Sequence, residues 1–199
     1  MHEHIPYWMA LAHAGGFSNR RKMEFLIEVI HNKFSLKEAL EKIKEGERNL
    51  FDFTEKEWNG ICQAVEEIPN YCFLAEQLDN KGIRVIPVMD EDYPATLKTN
   101  LKKEAPVILY AKGDPVLLKE RSVAVVGARN SSKISLEFTD HVAAKSVKGG
   151  YVVVSGMARG VDRKALEAAL DHNGRSIIVL PQGIETYRSK TYYSQIING

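Results

Sequence analysis

VAVVGARNSSK (123–133) is apolar up to Gly127 and then turns at once into a cation, an amide and two hydroxyls. A run of valine and alanine without polar alternation predicts a strand covered on both faces in a parallel sheet. Two further runs share the pattern, Tyr151-Val-Val-Val-Ser155 and Ser176-Ile-Ile-Val-Leu180. Between them Ile134, Phe138, Val142 and Val147 recur at helical spacing until Gly149-Gly150, and Ala165, Leu166, Ala169 and Leu170 do so until Gly174. The order is βαβαβ, one half of a doubly wound sheet.

Parallel strands end on one edge, so three loops gather there. They are Gly127-Ala-Arg129-Asn130-Ser131-Ser132, Gly156-Met-Ala-Arg159-Gly160-Val-Asp162 and Pro181-Gln-Gly183-Ile-Glu185. Two of them set a glycine at the strand end and an arginine just beyond, where helix N-termini direct unpaired N–H groups outward. Glycines, cations and free amides at one edge predict a phosphate crevice. The candidate contacts are Gly127, Arg129, Asn130, Ser131, Ser155, Gly156, Arg159, Gly160 and Gly183, widened by Lys133, Arg163, Lys164 and Tyr187. Arg159 reads equally as an ion pair to Asp162 or as a phosphate contact. Asp162 reads as a helix cap, and His172 as a partner of a helix C-terminus. Tyr187, Tyr192 and Tyr193 either stack on bases or cover the sheet.

The chain before this sheet has a different grammar. Phe25, Leu26, Val29 and Ile30 form a helical stripe, and Ser35-Leu-Lys-Glu38 and Thr54-Glu-Lys-Glu57 are capping-box patterns. Pro69 interrupts the run that follows, and Gly82 ends it. Ile83–Val88 and Val107–Tyr110 then read as short strands on either side of an Asp92-Tyr93-Pro94 turn. The expected divisions are a helical domain at 1–82, an extended linker at 83–118 and half of a Rossmann-like domain at 119–199.

Composition narrows the function. Across 199 residues, 27 Lys and Arg oppose 26 Asp and Glu, so attraction to phosphate must come from local placement, and a polyanion-coating protein is not expected. Cys62 and Cys72 sit in apolar stretches without metal-ligand spacing and read as buried thiols in a reducing cytoplasm. No export signal or membrane span is expected, and no cofactor or metal site is called for. His2 and His4 lack the further ligands a metal needs. A Walker loop, a complete dinucleotide fingerprint and a nucleophile elbow are all missing.

VAVVGARNSS (123–132), VVVSGMARGVDRKALEAAL (152–170) and GRSIIVLPQGIETY (174–187) together resemble the DNA-processing protein A family (DprA, also called Smf). Tyr7-Trp8 through Gly15-Gly16, Asp92-Tyr93-Pro94, Pro106, Gly113 and Leu117-Leu118 extend the similarity. The resemblance implies an α/β fold with a small helical domain, of the SAM or helix-hairpin-helix kind, before a Rossmann-like sheet. It also implies a non-enzymatic protein that binds and protects single-stranded DNA, loads RecA onto it in natural transformation and self-associates. Arg129 then corresponds to a DNA-contacting arginine. Family members continue with further strands beyond the point matching Gly199, where self-association and RecA contact are expected, so the chain reads as truncated against the family. The pattern departs at Tyr187-Arg188, where the family has Tyr-Pro, and at Ala14-Gly15-Gly16-Phe17 in the N-terminal hairpin. Competing expectations are a nucleotide-binding or phosphoribohydrolase-like protein resembling LOG proteins, and an interaction fragment without DNA binding. Against the former, Pro181-Gln-Gly183-Ile-Glu185 lacks the second glycine and the threonine of the LOG motif.

Overall fold

Four helices in this chain start where a serine or threonine side chain takes a first-turn amide. The computed structural model describes residues 4–181 and 183–186, in two compact units, Met1–Gly113 and Asp114–Gly199. The first unit holds α1 (Ile5–His13), α2 (Asn19–His31), α3 (Leu36–Lys44), α4 (Glu55–Glu66) and α5 (Ile68–Asn80). These are followed by β1 (Ile83–Pro87), α6 (Ala95–Leu101) and β2 (Ile108–Lys112).

Both capping boxes form: Ser35 N–H donates to Glu38 Oε2 at 2.7 Å and Glu38 N–H to Ser35 Oγ at 3.2 Å. The corresponding distances at Thr54 and Glu57 are 2.9 and 3.3 Å. These bonds satisfy amides that a helix start leaves without partners, and the Ser35 donors hold the Glu38 carboxyl below its ordinary pKa. Pro69 opens α5 within its first turn, where its missing N–H costs no helical bond. Gly82, at φ +67°, ends that helix as its N–H donates to Asp79 O.

Met9, Leu11, Phe25, Leu40, Ile43 and Ile61 are fully buried in this unit, with Phe25 edge-on to Phe51 at 5.1 Å between ring centroids. Ile30, expected in the α2 stripe, is exposed instead; Phe25, Leu26 and Val29 already fill the face turned to the core. Cys72 is exposed and Cys62 half-buried, which corrects the reading of buried thiols. Along α5 only Leu78 is buried, so most of the helix stays in solvent. The expected linker does not stand apart. β1 and β2 pair antiparallel from Ile83–Lys112 to Pro87–Ile108, and Ile83, Ile86, Val88 and Val107 are buried, apolar surface that an extended linker would leave in water. The units therefore divide after Gly113 rather than at Gly82.

In the second unit β3 (Ser122–Ala124), α7 (Lys133–Lys148), β4 (Val152–Ser155), α8 (Val161–Asp171) and β5 (Ser176–Ile178) alternate. The strands are parallel in the order β3-β4-β5, with Val123 beside Val153 and Val153 beside Ser176. This confirms the expected βαβαβ order. The edges differ from expectation, because β4 alone is largely buried whereas β3 keeps exposed positions and β5 is half-buried throughout. Crossovers of one hand that move steadily along a sheet place their helices on one face. Val153 accordingly packs with Ala143 of α7 and with Ala165, Ala168 and Ala169 of α8, joined by Val123 and Val125. Val126 and Val179, of opposite parity to Val125 and Ile178, stay more than half exposed.

α7 also turns differently from the predicted stripe. Ile134 and Phe138 are 78% and 70% exposed, while Thr139 and Ala143 are buried and Val147 packs on the core. Small residues let α7 and α8 approach closely, so the contact face follows size rather than hydrophobicity.

Gly60, within α4, lies against the Gly15 backbone, and a Cβ there would collide with the Gly15 carbonyl. Gly60→Ala would gain up to about 1 kcal/mol of helix propensity, but overpacking against backbone costs roughly 1–3 kcal/mol. The variant is expected to melt below the parent in circular dichroism; a raised melting temperature would contradict this packing.

Candidate nucleic-acid interface

The loops after β3 and β4 are built around one carboxylate. Gly127 N–H donates to Asp162 Oδ1 at 3.0 Å. A Cβ on Gly156 would come within 2.8 Å of Asp162 Oδ2, and one on Gly127 within 2.9 Å of the Val161 side chain. Gly160, at φ +93°, presses against the Ala128 and Arg129 carbonyls. The glycines at 127, 156 and 160 therefore serve close approach between two loops. Asp162, expected as a cap, lies inside the first turn of α8 instead. The N-cap is Gly160, which has no side chain to bond.

Several groups expected to face phosphate are held within the protein. Val161 N–H donates to Ala128 O at 3.2 Å and Arg163 N–H to Ala158 O at 3.0 Å, so these α8 amides point into the loops rather than outward. Ser155 is 2% exposed, and its hydroxyl donates to Val125 O at 2.6 Å, tying β4 to the end of β3. The Arg159 guanidinium donates to the Asn130 side chain and, through Nε at 3.4 Å, to Arg129 O. That is neither the Asp162 ion pair nor a free cation. Ser131 Oγ donates to Ala128 O at 2.7 Å.

What remains available is narrower. Arg129 and Arg163 are exposed and form no ion pair or hydrogen bond through their guanidinium groups among the described residues. Lys133 is 90% exposed at the side chain and sits 3.8 Å from Glu137, a weak helical pair. Ser132 caps α7 by accepting Ser135 N–H at 3.2 Å, and among the described residues none takes the backbone amides of Lys133 and Ile134. The start of α7, with Arg129 before it, is thus an electropositive corner. Gly183 is exposed, with space for a side chain, whereas Tyr187, Tyr192 and Tyr193 lie outside the described residues.

Lys164 leaves the cationic set because its ammonium meets Asp140 of α7 at 2.5 Å. That contact raises the Lys164 pKa and holds the Asp140 carboxyl below its ordinary value. His172, at the C-cap of α8, stands 3.7 Å from the same carboxylate. Asp140 escaped the sequence reading, since a pairing between two helices leaves no spacing signal.

Asp162→Ala removes the buried charged acceptor of the Gly127 amide and is expected to cost about 2 kcal/mol in urea unfolding, with Asp162→Asn costing less. Arg129→Ala should stay within about 0.5 kcal/mol of the parent. Equal losses for the two alanine variants would contradict this division between scaffold and free cation.

The model of the DNA recombination-mediator protein A family matches residues 84–198. DNA processing protein DprA of Bacillus subtilis is 35% identical over 106 residues, covering 53% of this chain and 35% of that protein. DprA of Streptococcus pneumoniae is 37% identical over 103 residues, covering 52% and 36%. The matched region thus spans about a third of each relative's own length. The X-ray structure of the Streptococcus pneumoniae protein superposes with a TM-score of 0.58 at 24% identity, over 96% of this chain and 62% of that one, which places the fold. Loops shaped by Gly127, Gly156, Gly160 and Asp162 lie within the matched span, and the chain belongs to the DNA recombination-mediator protein A family.

Proposed function

We propose that this chain grips single-stranded DNA by its phosphates at the carboxyl edge of the β3-β4-β5 sheet. The observation that carries the reading is the contrast between two neighbouring arginines. Arg159 is tied to Asn130 and the Arg129 carbonyl, while the Arg129 guanidinium has no partner among the described residues, on a loop fixed by the Asp162 clamp. The fixed loop already holds the backbone of this cation, so meeting an anion orders only its side chain, at roughly 0.5–1.5 kcal/mol. Arg163, Lys133 and the first amides of α7 extend the same edge. Such a site takes backbone rather than base edges, so sequence preference is low. A flexible single strand can turn successive phosphates into it.

The wider proposal, on family membership, is that the bound strand is protected and passed to RecA during recombination. The protein would act in the cytoplasm as a homodimer, with neither a catalytic step nor a cofactor. The net charge of +1 supports local rather than global attraction to the nucleic acid.

Fluorescence anisotropy with single- and double-stranded oligonucleotides tests the grip. Arg129→Ala and Arg163→Ala should each weaken single-strand binding roughly tenfold, the scale of one lost charge-assisted hydrogen bond. Each should also make the log affinity against log salt slope shallower by about 0.7. Unchanged affinity in both variants, or release of free base from nucleoside monophosphates, would overturn the reading, the latter in favour of a nucleotide-cleaving enzyme.

A further inference from the structure

The outward face of α7 carries a stripe that is apolar at one end and cationic at the other. Thr139 and Ala143 are the buried residues of this helix, and Val147 packs with them on the core. On the opposite side, at spacings of three and four residues, stand Ile134, Phe138, His141, Lys145 and Lys148, all exposed. Ile134 and Phe138, at 78% and 70%, are the two most exposed large apolar side chains among the described residues. The Phe138 ring meets no other ring or cation among those residues. The His141 ring, one turn further on, is steadied by its Nδ1–H, which donates to Glu137 O at 2.8 Å.

Charge says what this face would receive. The side chains of Lys145 and Lys148 have no partner among the described residues. The two acids of α7 are both matched, Glu137 by Lys133 at 3.8 Å and Asp140 by Lys164 at 2.5 Å. A second copy laid on the stripe would therefore bring no free acid of its own stripe to these lysines. A strand of nucleic acid brings both things the stripe complements, flat apolar faces and a chain of negative charge. The stripe also begins at the electropositive corner, two residues after the Ser132 cap. From there the helix of 16 residues runs for about 24 Å.

We propose that a single strand gripped at Arg129 continues along this face of α7. Its unpaired bases lie on Phe138, Ile134 and the His141 ring, and its phosphates meet Lys145 and Lys148. The inference rests on the phosphate grip and adds to it a means of telling single strands from duplex. Bases offer their faces to an aromatic ring only where they are not stacked inside a double helix, and such stacking tolerates any sequence.

Fluorescence anisotropy of the full chain with an oligo(dT) strand, an abasic strand of equal length and a duplex tests the path. Phe138→Ala, an exposed change that leaves the fold intact, should weaken oligo(dT) binding roughly tenfold, the scale of one lost base–aromatic stack. It should leave the salt slope, the abasic strand and the duplex unaffected, and Phe138→Trp should keep the parent affinity. Lys145→Ala and Lys148→Ala should weaken both single strands and make the log affinity against log salt slope shallower by about 0.7 each. Full oligo(dT) affinity in Phe138→Ala beside a weakened Arg129→Ala would overturn the base platform and leave the phosphate grip standing. An equal loss on the abasic strand would overturn it as well. So would loss of self-association in sedimentation by Phe138→Ala with DNA binding unchanged, which would assign the face to a second copy. Unchanged binding in both Arg129→Ala and Arg163→Ala would remove the grip and this path together.

Discussion

A carboxylate buried at the mouth of a parallel sheet must have its oxygens satisfied, and around Asp162 that requirement organises two loops. One oxygen accepts the Gly127 N–H; the other fills the space a Gly156 side chain would need. Gly160 then brings the start of α8 against the Ala128 and Arg129 carbonyls, where the Val161 N–H donates. These contacts draw the β3 and β4 loops together, and they leave Arg129 on the outside of the turn. Asp162 itself is buried, so leaving its carboxylate without a donor would be expensive. The scaffold and the free cation are therefore separate: the buried acid and the glycines hold the shape, and the arginine presents charge.

Charge is divided in the same way between the two helices. Asp140 of α7 takes Lys164 and lies close to His172, which fastens α7 to α8 at the back of the helical layer. Arg163, one residue before Lys164, has no side-chain partner among the described residues. Adjacent cations thus have opposite fates, decided by which side of α8 they occupy.

The strand order was legible because Val123–Val126, Val152–Ser155 and Ser176–Leu180 are apolar without alternation, and the helix starts because Ser35, Thr54 and their glutamates are local devices. Features set by contact between distant segments were not. Ile134 and Phe138 make a convincing stripe in sequence, but the alanines of α8 select Thr139, Ala143 and Val147 for the interface. α6 has no buried residue and so no periodic signal. Asp162 looks like a cap from its neighbours, and only the fold reveals that its partner is 35 residues away. Arg129 was legible as a cation at a strand end; that Arg159 would be tied to Asn130 and the Arg129 carbonyl, and Arg129 left without a side-chain partner among the described residues, was not.

Amide hydrogen exchange at Gly127 tests the central claim most directly. If the Asp162 carboxylate holds this loop, the Gly127 amide, although in an exposed loop, exchanges as slowly as its neighbours in β4 and speeds up selectively in Asp162→Ala. Exchange at the rate of an open loop in the parent protein would contradict the account.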